Sequence, residues 1–133
     1  MTLSGEKMVG FVSGDVQLVN GYGPTECTDL ITTYCLDKGR VYKDIPVGRP
    51  MANGYCFIVD KNNKLVPNGV AGELCFAGVQ VGRGYWRLPE LTEKVFGDCP
   101  FLPLQENGKP MRMYHTGDLC RWNNEDVIEC LGR

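Results

Sequence analysis

The stretch Asn20-Gly21-Tyr22-Gly23-Pro24-Thr25-Glu26 brings together residue types that can grip a nucleotide. Glycines on both sides of Tyr22 let the backbone come close to a ligand, since they carry no side chain to obstruct it. Tyr22 offers a flat face for a planar ring. Thr25 can hydrogen-bond a phosphate oxygen, and Glu26 is a hard oxygen ligand suited to magnesium. The same spacing also describes a tight turn in which Thr25 caps a helical turn and Glu26 is solvated.

A second stretch is Tyr114-His115-Thr116-Gly117-Asp118. Thr-Gly-Asp by itself commonly marks a turn. A carboxylate beside a flexible glycine can also accept hydrogen bonds from both hydroxyls of a ribose. Arg133, 15 residues further on, can reach the same sugar or a phosphate as a fork of donors. Gly72-Glu73-Leu74 through Gly78 to Arg83-Gly84-Tyr85-Trp86 carries no reactive constellation. It reads as scaffold: strands, a tight bend and aromatic packing, with Arg83 and Arg87 exposed.

The elements that must position these residues are short strands and turns. Glycine (17) and proline (8) punctuate short apolar runs, which argues against a helical bundle. Residues 16–19 read as a strand ended by Asn20-Gly21, and Ile31-Thr32-Thr33-Tyr34 as another. Residues 39–50 are polar and broken, a linker over the surface. Tyr55–Val59, Leu65-Val66 and Glu73–Ala77 form an antiparallel meander with turns at 60–64 and 67–69. One helix starts at Pro89, with Glu90 and Glu93 near its positive end and a Leu91/Val95 apolar pair, and Gly97 stops it. Residues 98–112 read as an irregular loop. A terminal hairpin pairs 119–122 with 127–131. A domain rarely ends flush against a strand, so the chain reads as a truncated piece.

At 133 residues the chain can bury one core but not two large ones. A net charge of −2 gives no electrostatic reason to expect nucleic acid or an anionic membrane as partner. Apolar runs fall far short of the roughly 18 residues that span a bilayer, and the first residues lack the apolar core of a signal peptide. These features predict a cytoplasmic protein. Seven cysteines, an odd number with no Cys-x-x-Cys pair, suggest free thiols rather than a disulfide framework or a zinc site. His115 is the single histidine, which argues against His-rich metal sites and a Ser-His-Asp triad.

Taken together, the stretches resemble the core motifs of the acyl- and aminoacyl-adenylating family, which includes peptide synthetase adenylation domains, acyl-CoA ligases and luciferases. Asn20–Glu26 resembles its Asn-x-Tyr-Gly-Pro-Thr-Glu motif, and Gly72-Glu73-Leu74 with Gly82-Arg83-Gly84-Tyr85 its Gly-Glu-Leu…Arg-Gly-Tyr motif. Residues 114–119 resemble Tyr-x-Thr-Gly-Asp-Leu, and Leu131-Gly132-Arg133 the opening of the Gly-Arg-x-Asp hinge motif. The resemblance runs from Ser4-Gly5-Glu6 to Arg133. Tyr22–Thr28 and Val47-Gly48-Arg49-Pro50 look more like amino-acid-activating domains than fatty acyl ligases.

The resemblance implies that ATP or AMP is held by Gly21, Tyr22, Gly23, Thr25, Asp118 and Arg133. Tyr22 would stack on adenine, Thr25 touch the α-phosphate, and Asp118 and Arg133 hold the ribose. Glu26 would bind Mg2+, the second cofactor beside ATP. Gly21, Asp29 and Leu30 match positions lining the acyl-side pocket, and residues 1 to 3 are further candidates. Asp29 in such a pocket would suit a cationic or strongly donating substrate side chain; its alternatives are a solvent-facing residue or a cap on the Thr25 turn. Cys130 departs from the family, standing where an aromatic is often found, and His115 occupies an often basic position with no role assigned.

The implied reaction joins an amino acid to ATP, and the aminoacyl group then passes to the phosphopantetheine thiol of a carrier protein. The family's phosphate loop lies upstream of these motifs, and its mobile lid with the catalytic lysine lies beyond Arg133. No catalytic residue is therefore expected within the chain, and it should be inactive alone. The implied fold is strand-rich α+β: residues 1–40 end an α/β layer and carry the nucleotide loop, and 41–133 form a β-barrel-like antiparallel subdomain ending at the hinge motif. Two alternatives remain: an acyl-CoA or aryl-acid ligase fragment, and a non-catalytic β-rich packing or docking module.

Overall fold

The computed structural model describes residues 16–133. Residues 1 to 3, considered for a pocket, and Ser4-Gly5-Glu6 lie outside the described residues. Val19–Tyr22 (β1), Thr32–Cys35 (β2) and Arg49–Pro50 (β3) form an antiparallel three-stranded sheet in that order. Tyr22 pairs with Thr32, and Thr32 pairs in turn with Pro50. The first strand thus starts three residues later than its composition suggests. Asn20-Gly21 sits inside it rather than ending it, because the Asn20 amide donates to the Pro46 carbonyl at 2.7 Å instead of making a local turn.

The second sheet holds Gly54–Val59 (β4), Gly72–Gly78 (β5), Phe96–Asp98 (β6), Arg112–Trp122 (β7) and Ile128–Gly132 (β8). Its order is β4-β5-β7-β6, with β8 also on β7, and every pairing is antiparallel. The fold is strand-rich, as the turn-punctuated sequence predicts. β5 is buried on both faces, and side chains alternate between them. Leu74 and Phe76 join Ile58, Tyr114 and Ile128 in one core; Cys75 and Ala77 join Val59, Cys99 and Met113 in the other. Burying a side chain such as Leu74 or Phe76 contributes about 1.5 to 3 kcal/mol.

The helix Pro89–Val95 (α1) has Pro89 in its first turn and leads straight into β6 at Phe96. Gly97 is therefore a strand residue, not the helix stop. Phe96 decides this, packing against the rings of Tyr85 and Tyr114 at 5.6 and 4.9 Å. β7 begins at Arg112, seven residues before the expected hairpin arm. Trp86, expected in aromatic packing, is 84% exposed, while Arg83 and Arg87 are exposed as expected.

The segment before β3 is not a surface linker. Tyr42 and Val47 are buried, and the Tyr42 hydroxyl accepts the Asp37 backbone N–H at 2.8 Å. Backbone bonds from Val47 N to Ile128 O and from Ile128 N to Gly48 O, both 2.9 Å, tie the first sheet to the second. Gly48 makes this crossing possible. Its φ is +100°, and a Cβ there would lie 1.8 Å from the Thr33 carbonyl oxygen.

Candidate nucleotide site

The loop after β1 is folded back on itself. Ile31 N–H returns to the Tyr22 carbonyl at 2.9 Å, around a 3-10 turn at Thr25–Cys27. Pro24, not Thr25, is the residue before this turn, and no side chain caps it. Thr28 and Asp29 complete the reversal with φ of 60° and 74°, and Cys27 plugs the loop, fully buried. Gly23 has to be glycine here: a Cβ would stand 2.4 Å from the Asp29 carbonyl oxygen. Gly21 makes room in the same way for Leu30, whose Cδ1 lies 2.5 Å from where a Cβ would be.

Two straps fix this loop to the stretch following β5. Gly82 N–H donates to the Glu26 carbonyl at 2.7 Å, and the Thr28 hydroxyl to the Gln80 carbonyl at 2.8 Å. The Tyr85 hydroxyl donates to Glu26 Oε1 at 2.5 Å. That bond holds the Glu26 carboxyl below the usual carboxylate range, against the opposing effect of burial and with help from Tyr114 and the charge of Arg133. The Tyr85 hydroxyl is correspondingly shifted up by the carboxylate it donates to.

Asp118 reaches the same region through a distortion of β7. Glu73 pairs with Leu119 and Cys75 with His115, so two steps on β5 oppose four on β7. The surplus is a bulge at 116–118. Gly117 sits there with φ of +72°. Thr116, buried, donates to the Leu74 carbonyl at 2.8 Å and accepts the Asp118 N–H at 3.0 Å. Glu73 Oε1 accepts the Gly117 N–H at 2.9 Å, and its other oxygen lies 3.3 Å from His115 Nδ1. On the opposite edge of β7, β6 pairs with 112–114 and β8 with 119–122, leaving 115–118 between them.

In that gap the expected residues meet. The Tyr22 hydroxyl donates to Asp118 Oδ2 at 2.5 Å, and Arg133 Nε donates to Oδ1 at 2.7 Å. Burial, followed by the Asp118 carboxylate, pushes the Tyr22 phenol well above its ordinary value. The Asp118 side chain is only 16% exposed, while that of Arg133 is 78% exposed. Glu26 adjoins this group through Tyr85 and Tyr114. Thr25, Asp29 and Leu30 lie on the exposed side of the loop. Sequence reasoning missed Glu73, Tyr85, Tyr114 and Thr116 as supports of the site. Glu73 and Tyr85 stood within recognised motifs, but their partners are 44 and 59 residues away.

Residues 5–86 match the family model described as AMP-binding enzyme. The chain belongs to this AMP-binding enzyme family. It is 46% identical over 121 residues to surfactin synthase subunit 2 of Bacillus subtilis (strain 168), covering 91% of this chain and 3% of that protein. Tyrocidine synthase 3 of Brevibacillus parabrevis is 46% identical over 119 residues, 90% of this chain and 2% of its own. Gramicidin S synthase 1 of Brevibacillus brevis is 43% identical over 118 residues, 89% of this chain and 10% of its own. Among solved structures, holo-PA1221, an NRPS protein containing adenylation and PCP domains bound to a vinylsulfonamide inhibitor, matches with a TM-score of 0.78 at 28% identity. That match covers 89% of this chain and 20% of the other. The chain thus spans a small part of the relatives it matches, and its fold is that of AMP-binding enzymes. Among the described residues no helix is long and apolar enough to cross a membrane.

Proposed function

We propose that this chain is the nucleotide-gripping part of an amino-acid-activating adenylation domain, working within a longer peptide synthetase. The observation that carries the reading is the convergence of Tyr22 and Arg133 on one carboxylate, Asp118, from opposite ends of the chain. A carboxylate held by one phenol and one guanidinium keeps lone pairs for the two hydroxyls of a ribose. Tyr22, fixed at its hydroxyl, presents its ring to the adenine. Gly21 and Gly23 keep the backbone beside it unobstructed, and Thr25, exposed at the start of the 3-10 turn, faces the α-phosphate.

Glu26 fits a magnesium ligand: it is a hard oxygen donor held ionised by the Tyr85 hydrogen bond. A magnesium ion bound there supplies neutralisation of the charge that builds on the phosphate oxygens. Gly21, Asp29 and Leu30 border the acyl side. In the reaction, a substrate carboxylate attacks the α-phosphorus of ATP, pyrophosphate leaves, and the aminoacyl-adenylate is handed to a phosphopantetheinyl thiol. A carrier-protein partner is supported by the PCP domain named in the matching solved structure. The reading includes a cytoplasmic setting and the division at residue 40.

The test is amino-acid-dependent ATP–pyrophosphate exchange by the intact protein that carries this segment. Exchange with at least one amino acid is expected, with the KM for ATP raised in Asp118→Ala and Arg133→Ala. Activation of a fatty or aryl acid instead would move the protein to the acyl- or aryl-acid ligases. Absence of exchange with every acid tried would leave a packing module. The isolated 133-residue chain should show none above blank.

A further inference from the structure

Cys120 lies on β7 and Cys130 on β8, directly opposite one another in the antiparallel register. Their sulfurs are 2.7 Å apart. Directly opposed residues of such a pair have Cα atoms about 4.5 to 5.5 Å apart, within the roughly 4.4 to 6.8 Å that a disulfide spans. Both thiols are free. Cys120 is fully buried, whereas Cys130 is half-buried and reachable from the surface. We propose that Cys120 and Cys130 are a redox modification site, closing to a reversible disulfide when the chain meets a peroxide. This goes beyond the nucleotide reading and does not depend on it.

The chemistry is asymmetric because the environments are. The contact with Cys120 lowers the Cys130 thiol and favours its thiolate, while the same contact and burial raise Cys120 and keep its proton on sulfur. The Cys130 thiolate attacks one peroxide oxygen. An S–O bond forms, the O–O bond breaks, and hydroxide leaves to become water, so sulfur is oxidised to a sulfenic acid by two electrons. Cys120 sulfur then attacks the Cys130 sulfur. The S–S bond forms, the S–O bond breaks, and the departing oxygen takes the Cys120 proton and leaves as a second water. Overall, two thiols and one peroxide become one disulfide and two waters.

The staple would sit two residues after Asp118 and three before Arg133, fastening the hairpin end that brings these two together. Other buried thiols, such as Cys27 and Cys75, lie in the interior of the loop and of the sheet.

Trypsin separates the pair, since Arg112 and Arg121 place Cys120 in the peptide 113–121 and Cys130 in 122–133, one cysteine in each. The full chain should be treated with hydrogen peroxide under native conditions, alkylated, digested and weighed. The expected result is the two peptides linked, with two hydrogens and two alkylation sites lost. Dithiothreitol should restore both sites, and Cys130→Ala should lose the link. In urea the same two cysteines should share their links with the other five. Separate, fully alkylated peptides after native oxidation would overturn the proposal. So would Cys130 carried on to a sulfinic acid with Cys120 still alkylatable, or equal linkage in urea and in buffer.

Discussion

The Tyr22 hydroxyl and the Asp118 carboxylate, 96 residues apart in sequence, share a 2.5 Å hydrogen bond. One belongs to the sheet of β1–β3 and the other to a bulge in the five-stranded sheet. The contact therefore reports on the docking of the two sheets as well as on the site. Its environment is partly buried, so the phenol keeps its proton and the carboxylate accepts its hydrogen bond.

That arrangement makes stability fall in alkaline solution. The folded phenol is shifted above its ordinary value of 10.0, so its contribution is whole below pH 10 and is lost as pH rises through the folded value. Above pH 10 the unfolded chain releases the proton first. Tyr22→Phe should cost about 1.5 to 3 kcal/mol at pH 7, the usual worth of a hydrogen bond to a charged group. It should also flatten the alkaline decline by up to about 1.4 kcal/mol per pH unit, one proton's worth. Urea unfolding from pH 7 to 11.5 measures both; parallel declines would refute the assignment.

The residues that build this contact were legible because their chemistry is local. Tyr22 between two glycines and Asp118 beside Gly117 announce themselves within a few residues. β4 and β5 were legible because a short apolar run bounded by turn residues is also a short-range pattern. β7 was not. Its bulge at 116–118 breaks the two-residue period, and Gly117 looks like a turn although its neighbours continue in a strand. β6 is three residues long and contains a glycine; only Phe96, packed on Tyr85 and Tyr114, makes it a strand. Tyr42, between Val41 and Lys43 in a polar stretch, is buried with a ring contact to Tyr34 that no local pattern encodes.

Thr116 should matter to Asp118 without touching any ligand. Its buried hydroxyl bridges the Leu74 carbonyl and the Asp118 N–H. Thr116→Val keeps the shape and leaves both groups unsatisfied, at about 1 to 3 kcal/mol for a buried unpaired group. Thr116→Ser should recover most of that loss. Chemical denaturation of the three proteins checks the order, and a valine variant as stable as the serine one would show that the bridge contributes nothing.

The cysteines should react in an order set by burial. Cys35 is exposed, whereas burial, as the largest cause, pushes the Cys27, Cys56 and Cys75 thiols up to about 12. At pH 8 those three hold a thiolate population on the order of a thousandth of an ordinary cysteine's. Iodoacetamide should therefore label the exposed Cys35 and the half-buried Cys130 ahead of those three and leave them unmodified until urea is added. Peptide mass mapping against time reads this directly; early labelling of Cys75 would contradict the two-faced burial of β5.

Two glycines with similar backbone angles should respond very differently to alanine. Gly39 has φ of +83° and nothing within 4 Å of a would-be Cβ, so Gly39→Ala meets only the left-handed conformational cost, about 1 kcal/mol. Gly48 has φ of +100°, and its Cβ would lie 1.8 Å from the Thr33 carbonyl oxygen and 2.6 Å from the Tyr34 nitrogen. These atoms belong to the Thr33–Tyr34 peptide, and backbone cannot step aside as a flexible side chain would. The crossing also carries the Val47 and Gly48 bonds to Ile128, so relieving the clash means parting the two sheets. Gly48→Ala should lose several kcal/mol, beyond the 1 to 3 or so expected of strained backbone alone, and separate β1–β3 from β8. Hydrogen exchange would show it as lost protection at the Val47 and Ile128 amides, with Gly39→Ala keeping both; equal protection in the two variants would mean the sheets are joined by something other than this crossing.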